Sequence, residues 1–224
     1  MKKLFFFLAV ILFLISCGPE YYKTAGYESR ASAHQILAIL PVETHTTGRL
    51  PKQLTEEDIV EIENAEARAF QISLYNQVAK RTGRYSGTIR VNIQHFSQTN
   101  AKLKEAGISP RDSWAMAPDS LAKIVGADAV VRTSVHKDRY LTDLESYGIS
   151  IAASIANIFS NAGFWIYPWA RTSDMFISCS ILNGSDGVPV WATDFDCRTY
   201  WNRRTHEVID EVSRRIGRRF PYRE

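Results

Sequence analysis

The 224 residues suit one good-sized domain, or at most two small ones. Hydrophobic residues make up 45% and charged residues 23%, which are globular values and exclude a disordered chain. Formal net charge is +3, and +1 (25 basic against 24 acidic) once Lys2 and Lys3 are set aside with a leader. That balance lacks the basic surplus of a nucleic-acid binder, so no nucleic-acid partner is expected.

Lys2 and Lys3 precede an uninterrupted apolar run from Leu4 to Ile15. The run suits the h-region of a secretory signal and is too short for a membrane-spanning helix of about twenty residues. The next residues, Leu14-Ile15-Ser16-Cys17, resemble the bacterial lipobox: a Leu three before the cysteine and a small residue directly before it. The resemblance implies that residues 1–16 are removed, that the Cys17 thiol takes a diacylglyceryl group, and that the new amino terminus is acylated, as with palmitate. Several acyl chains anchor far more firmly than one. The plainer alternative is an ordinary signal peptide whose cysteine pairs elsewhere. "GPEYYKTAGYESRASAH" has no apolar period, so residues 17–34 read as a flexible tether and 35–224 as a single domain.

"QILAILPVE" is a nearly continuous apolar run closed by Pro41, the pattern of a buried strand. A helix follows, with Thr55 as N-cap and Asp58 three residues on; Ile59, Ile62, Phe70, Leu74 and Val78 share one side, and Gly83 is a stop. "TIRVNIQHF" alternates Ile89, Val91 and Ile93 with polar residues, predicting a strand with one wet face. A short helix is expected over Asn100–Glu105, ending at Gly107. A further helix has Pro118 and Asp119 in its first turn and stops at Gly126, before a strand through Val130, Val131 and Val135.

Residues 147–161, "YGISIAASIANIFSN", carry no charge. Ser150, Ser154, Asn157 and Asn161 recur at helical spacing, while Ile151, Ile155, Ile158 and Phe159 occupy much of the other side. Trp165 and Trp169 follow in an aromatic group suited to a bilayer interface. These six apolar residues are the candidate partner or membrane contact. The plain alternative is a small-residue helix packed on the domain.

"SDMFISCSIL", "NGSDG" and "VPVWATDFDC" read as a β-hairpin. A turn centred on Ser185 pairs Cys179 with Trp191 and Met175 with Phe195, and puts Met175, Ile177, Cys179, Ile181, Trp191 and Phe195 on one apolar face. Cys197 then lies opposite Ser173, six residues along from Cys179, or about 20 Å. That is outside disulfide reach, so two free thiols are expected. The chain closes with a helix from about Arg203 to Arg219, with Val208, Ile209, Val212 and Ile216 inward. Asp210 stands four residues before Arg214, and Glu211 four before Arg215, the favourable order for surface pairs. The basic last turns complement the helix dipole; a phosphate or lipid-headgroup site is the sharper reading of the same arginines.

Three stretches, "ILAILPVE", "LAKIVGADAVVRTSVHK" and "ILNGSDGVPVWATDFD", resemble a group of bacterial envelope lipoproteins. The group includes CsgG and LpoB, with a similar fold in the amino-terminal domain of TolB. The resemblance spans about 36–220 and implies an α/β (α+β) fold: a single mixed sheet flanked by helices, ending in a β-hairpin and a C-terminal helix. It implies a place in the cell envelope, and neither a pore nor activation of a synthase is carried over.

Catalytic signals are weak. His34, His45, His95, His136 and His206 show no ligand spacing, and no G-x-S-x-G elbow or paired CxxC occurs. Gly83 and Gly87 lack the spacing of a phosphate loop, and Glu56, Glu57, Asp58 and Glu61 read as a charged helix start. No cofactor or metal is expected. The sequence therefore points to a lipid-anchored, non-enzymatic envelope accessory, assembly or transport-associated protein that faces the periplasm and binds envelope proteins or itself. Gly18, where an Asp would favour inner-membrane retention in some bacteria, favours the outer membrane. The alternative is a periplasmic enzyme whose site is assembled only in the fold.

Overall fold

Seven strands form a single mixed sheet in the computed structural model, which describes residues 21–49, 55–81, 91–139, 171–200 and 203–222. In chain order the elements are β1 (Tyr22–Lys23), α1 (Tyr27–Ala31), β2 (Ile36–Ile39), β3 (Glu43–Gly48), α2 (Glu56–Ala79) and β4 (Asn92–Gln94). They continue with α3 (Phe96–Glu105), α4 (Asp112–Ala115), α5 (Pro118–Val125), β5 (Ala129–Arg139), β6 (Arg171–Asn183), β7 (Pro189–Tyr200) and α6 (Thr205–Arg219). The strand order is β1-β7-β6-β5-β2-β4, with β3 pairing β5 beyond the end of β2. The leader, Cys17, Ile89, and the segment 147–170 with Ile151, Ile155, Ile158, Phe159, Trp165 and Trp169 lie outside the described residues. Among the described residues no helix is long and apolar enough to cross a membrane.

The two faces of the sheet are covered unequally. One carries Leu37, Ile39, Val131, Val135, Met175, Ile177, Cys179, Ile181, Trp191 and Phe195, and packs against α2 and α6 in the larger core. On the other face α3 and α5 cover only Ala38, Leu40, Val130 and Leu182. Beyond them Phe176, Ser178, Asp194, Asp196 and Arg198 are exposed, an alternation open to water on one side.

Local chemistry explains most boundaries. Thr55 and Asp58 form a reciprocal capping box at the start of α2. The Thr55 N–H and then its hydroxyl hold the Asp58 carboxyl below the usual carboxylate range. Gly126 stops α5 in the left-handed conformation at φ 61°. Asp128, two residues on, accepts the Gln35 and Ile36 N–H groups (2.9 and 2.8 Å) and so fixes the start of β2 against β5. Gly184 is needed for close approach, because a Cβ there would sit 2.6 Å from the Asp128 carbonyl oxygen.

Four expectations require correction. Residues 21–34 are not a free tether: β1 pairs with Trp191 and Ala192, and α1 buries Tyr27 and Ala31. The hairpin register differs by two residues, with Cys179 opposite Thr193, Ile177 opposite Phe195 and Met175 opposite Cys197. An irregularity between Ile181 and Leu182 and a left-handed Gly187 (φ 68°) take up the difference, and the apolar face stays the same. Cys179 and Cys197 are free. The short helix starts at Phe96 rather than Asn100, because His95 caps it by accepting the Ser97 N–H. On α6, Asp210 accepts from the Ser73 hydroxyl (2.7 Å) and Glu211 pairs with Arg203, where pairs along the helix were expected.

Candidate functional site

The two ends of the described chain meet beside β1. Tyr27 from α1 and Tyr222 after α6 are both buried, and the Tyr222 N–H donates to the Tyr27 hydroxyl oxygen (3.1 Å). Tyr222 holds φ at 69°, a left-handed value uncommon outside glycine. Its hydroxyl lies 2.6 Å from His34 Nδ1, and His34 Nε2 lies 3.0 Å from Asn183 Oδ1. The Asn183 amide nitrogen donates to Ser185 (2.8 Å) and Asp186 (2.7 Å), so its oxygen is the free acceptor. His34 therefore carries its proton on Nε2 when neutral, and Nδ1 accepts from the Tyr222 hydroxyl. Burial, and then the neighbouring Tyr27, push the Tyr222 phenol up. Burial raises Tyr27 as well, against the hydrogen bond from Tyr222 that lowers it.

Above this locked floor is an open groove of about 660 Å³. Its rim includes Tyr21, Lys23, Glu28, Arg218 and Arg219, three cations against one carboxylate. The Lys23 ammonium stands 4.3 Å from the centre of the Tyr27 ring. Arg215 and Arg219 stack on Phe195, at 4.1 and 5.4 Å from the ring centre. Next to the groove, Tyr21 and Tyr22 are 42% and 60% exposed. The arrangement can take an anionic group from solvent, with aromatic rings beside it. It offers positioned charge and no activated nucleophile.

A second polar cluster is structural. Glu63 on α2 is buried; it accepts the Thr46 N–H from β3 (2.7 Å) and pairs with Arg111. Arg111 also donates to Asn64 (3.2 Å) and lies 5.0 Å from the Trp114 ring. Each carboxylate oxygen thus has a partner, and one outward N–H of an edge strand is covered by the protein's own side chain. A groove of about 660 Å³ over this cluster is lined by Pro41, Asn64, Gln71, Leu103 and Ile108 among others.

The remaining candidates are placed apart. His45 faces Glu43 (3.0 Å), His136 faces Thr47 (3.3 Å), and His95 caps α3. Among the described residues no group of three or more His, Cys, Asp or Glu could hold a metal ion. Burial pushes the Cys179 thiol up to about 12, against a hydrogen bond from the Thr133 hydroxyl (3.3 Å), which makes it inert. Burial raises the half-buried Cys197 too. The structure brings none of the sequence-chosen contact residues into view. It shows where their segment is rooted: β5 ends at Arg139 and β6 begins at Arg171. The groove was missed, and its only sequence signal is the aromatic "FPY" directly after the last helix.

No family model matches the chain, and no curated protein does. Solved structures match the chain at low identity and low TM-score. Lipoprotein GNA1162 from Neisseria meningitidis is 12% identical, with 82% of this chain and 99% of that chain covered and a TM-score of 0.44. The LpoB C-terminal domain from Salmonella enterica is 15% identical, with 75% and 84% covered and a TM-score of 0.36. The PelC dodecamer from Paraburkholderia phytofirmans is 11% identical, with 85% and 90% covered and a TM-score of 0.42. At these values the likeness carries nothing about activity or partners.

Proposed function

We propose that the chain is a bacterial envelope lipoprotein, anchored through an acylated Cys17, that works as a non-enzymatic accessory, assembly or transport-associated protein through contacts with envelope proteins or copies of itself. The observation that carries this reading is the lipobox-like Leu14-Ile15-Ser16-Cys17 at the end of an apolar run, only four residues before Tyr21. The groove supports it by presenting a cationic and aromatic rim suited to binding. Gly18 supports the outer membrane over the inner.

The proposed protein contact is the uncharged segment 147–170, with Ile151, Ile155, Ile158, Phe159, Trp165 and Trp169. Arg171, at its root, pairs with Tyr200, eight residues beyond Ala192, the partner of Tyr22. At about 3.3 Å per residue the root lies about 26 Å along the strand from β1. Photo-crosslinkers placed at Ile155 and Trp165 in living cells test the proposed contact. Discrete adducts with envelope proteins or with a second copy are expected. Absence of adducts, together with unchanged elution and co-purifying proteins after deletion of 147–170, contradicts it.

A further inference from the structure

We propose that the groove beside β1 is a docking face for the anionic lipid headgroups of the leaflet that holds the anchor. The inference rests on the reading of Cys17 as acylated. Tyr21 is four steps along the chain from Cys17, and at about 3.5 Å a step these span at most about 14 Å. Tyr21 and Tyr22 are in turn joined to the folded domain, because β1 is paired to β7 and Tyr27 is buried directly after it. An anchor on so short a connection holds one part of the domain near the headgroups and leaves little of the rest within reach.

The surface at that place has the chemistry of a membrane-facing one. Tyr22, at 60%, is the most exposed of the large hydrophobic residues described, and Tyr21, at 42%, directly precedes it in the chain. Rings with an apolar body and a hydroxyl tip settle at the headgroup level. Among the described residues, Lys23, Arg218 and Arg219 line the groove with one carboxylate, Glu28, and Arg214 lies exposed one turn earlier on α6, where Glu207 and Asp210 line the same surface. The chain without its leader carries only +1, so this surplus is local. Dipole complementation accounts for arginines at the end of α6. It does not account for Lys23 or for two exposed tyrosines on another element. Polybasic surfaces beside an anchor are attracted to anionic leaflets within a Debye length. Because acyl chains supply the attachment, the groove sets orientation, and the His34–Tyr222–Asn183 network gives its cations a fixed base.

The test uses the full lipidated protein in vesicles of phosphatidylcholine alone and of phosphatidylcholine with roughly one-third phosphatidylglycerol. A membrane-impermeant amine reagent labels Lys23 and, as reference, Lys123, whose side chain is 70% exposed on α5 at the opposite face of the sheet. In the floated fraction the Lys23-to-Lys123 ratio should fall about threefold with phosphatidylglycerol relative to phosphatidylcholine, and recover at high salt. Replacing Arg214→Gln and Arg218→Gln should return the ratio to its phosphatidylcholine value with an unchanged thermal midpoint. If those replacements disturb the fold, the salt series on the unaltered protein decides. Equal ratios in both vesicle types, in protein that floats, overturn the docking face alone. Protein that does not float overturns the anchor and the docking face with it.

Discussion

The groove beside β1 and the bare half of the opposite sheet face are both open to solvent, yet they are built differently. The groove sits on a buried polar network that joins α1, the β6–β7 turn and the residues after α6, and its rim is cationic and aromatic. The bare face is an alternation of strand residues, with Asp194 and Asp196 against Arg198 and, among the described side chains, one large apolar group, Phe176, at 47% exposure. One surface is held rigid by long-range bonds; the other is the wet side of an antiparallel sheet. A fixed charged rim suits a flat partner that must be met in one orientation. A polar face with two carboxylates against one arginine lacks the cationic rim that such a partner needs.

Substitutions can break or sharpen this contrast. The largest effect is expected under the groove side of the sheet, at Trp191, which is fully buried with its ring centre 5.9 Å from that of Phe220. Trp191→Ala should cost about 3–5 kcal/mol in urea unfolding, by lost transfer energy plus a cavity. A loss below about 1 kcal/mol would mean the groove floor is not part of the cooperative core. Tyr222→Phe comes next. It removes the hydroxyl that donates to His34 Nδ1 and leaves a buried acceptor unmade, at about 1–2 kcal/mol. Phe176→Ser should be smallest, within about 0.5 kcal/mol, because a half-exposed ring on a wet face has little to lose. A larger loss there would show that the face is covered in the intact protein.

Much of the fold was legible in the sequence because its signals are local. The Thr55 cap, the glycine stop at Gly126 and the inward residues of α6 each depend on neighbours within a turn or two. The hairpin shows the limit of such signals. A shift of two residues keeps every side chain on its own face, so the alternation that identified the apolar side could not fix the pairing. Strand β3, with the sequence ETHTTG, has no apolar pattern and is a strand because β5 runs beside it. The groove was hidden for a stronger reason: His34 meets residues 149 and 188 positions away, and only the folded chain brings them together. Tyr27 likewise read as part of a polar tether, and its burial depends on Tyr222 at the other end of the domain.

The proposed envelope anchor depends most on Cys17, and the mass of the N-terminal tryptic peptide from isolated membranes tests it directly. The peptide is predicted to begin at Cys17, end at Lys23, and carry a diacylglyceryl group and an amide-linked acyl chain. An unmodified peptide containing Cys17, or a mature chain beginning at another residue, would contradict the anchor.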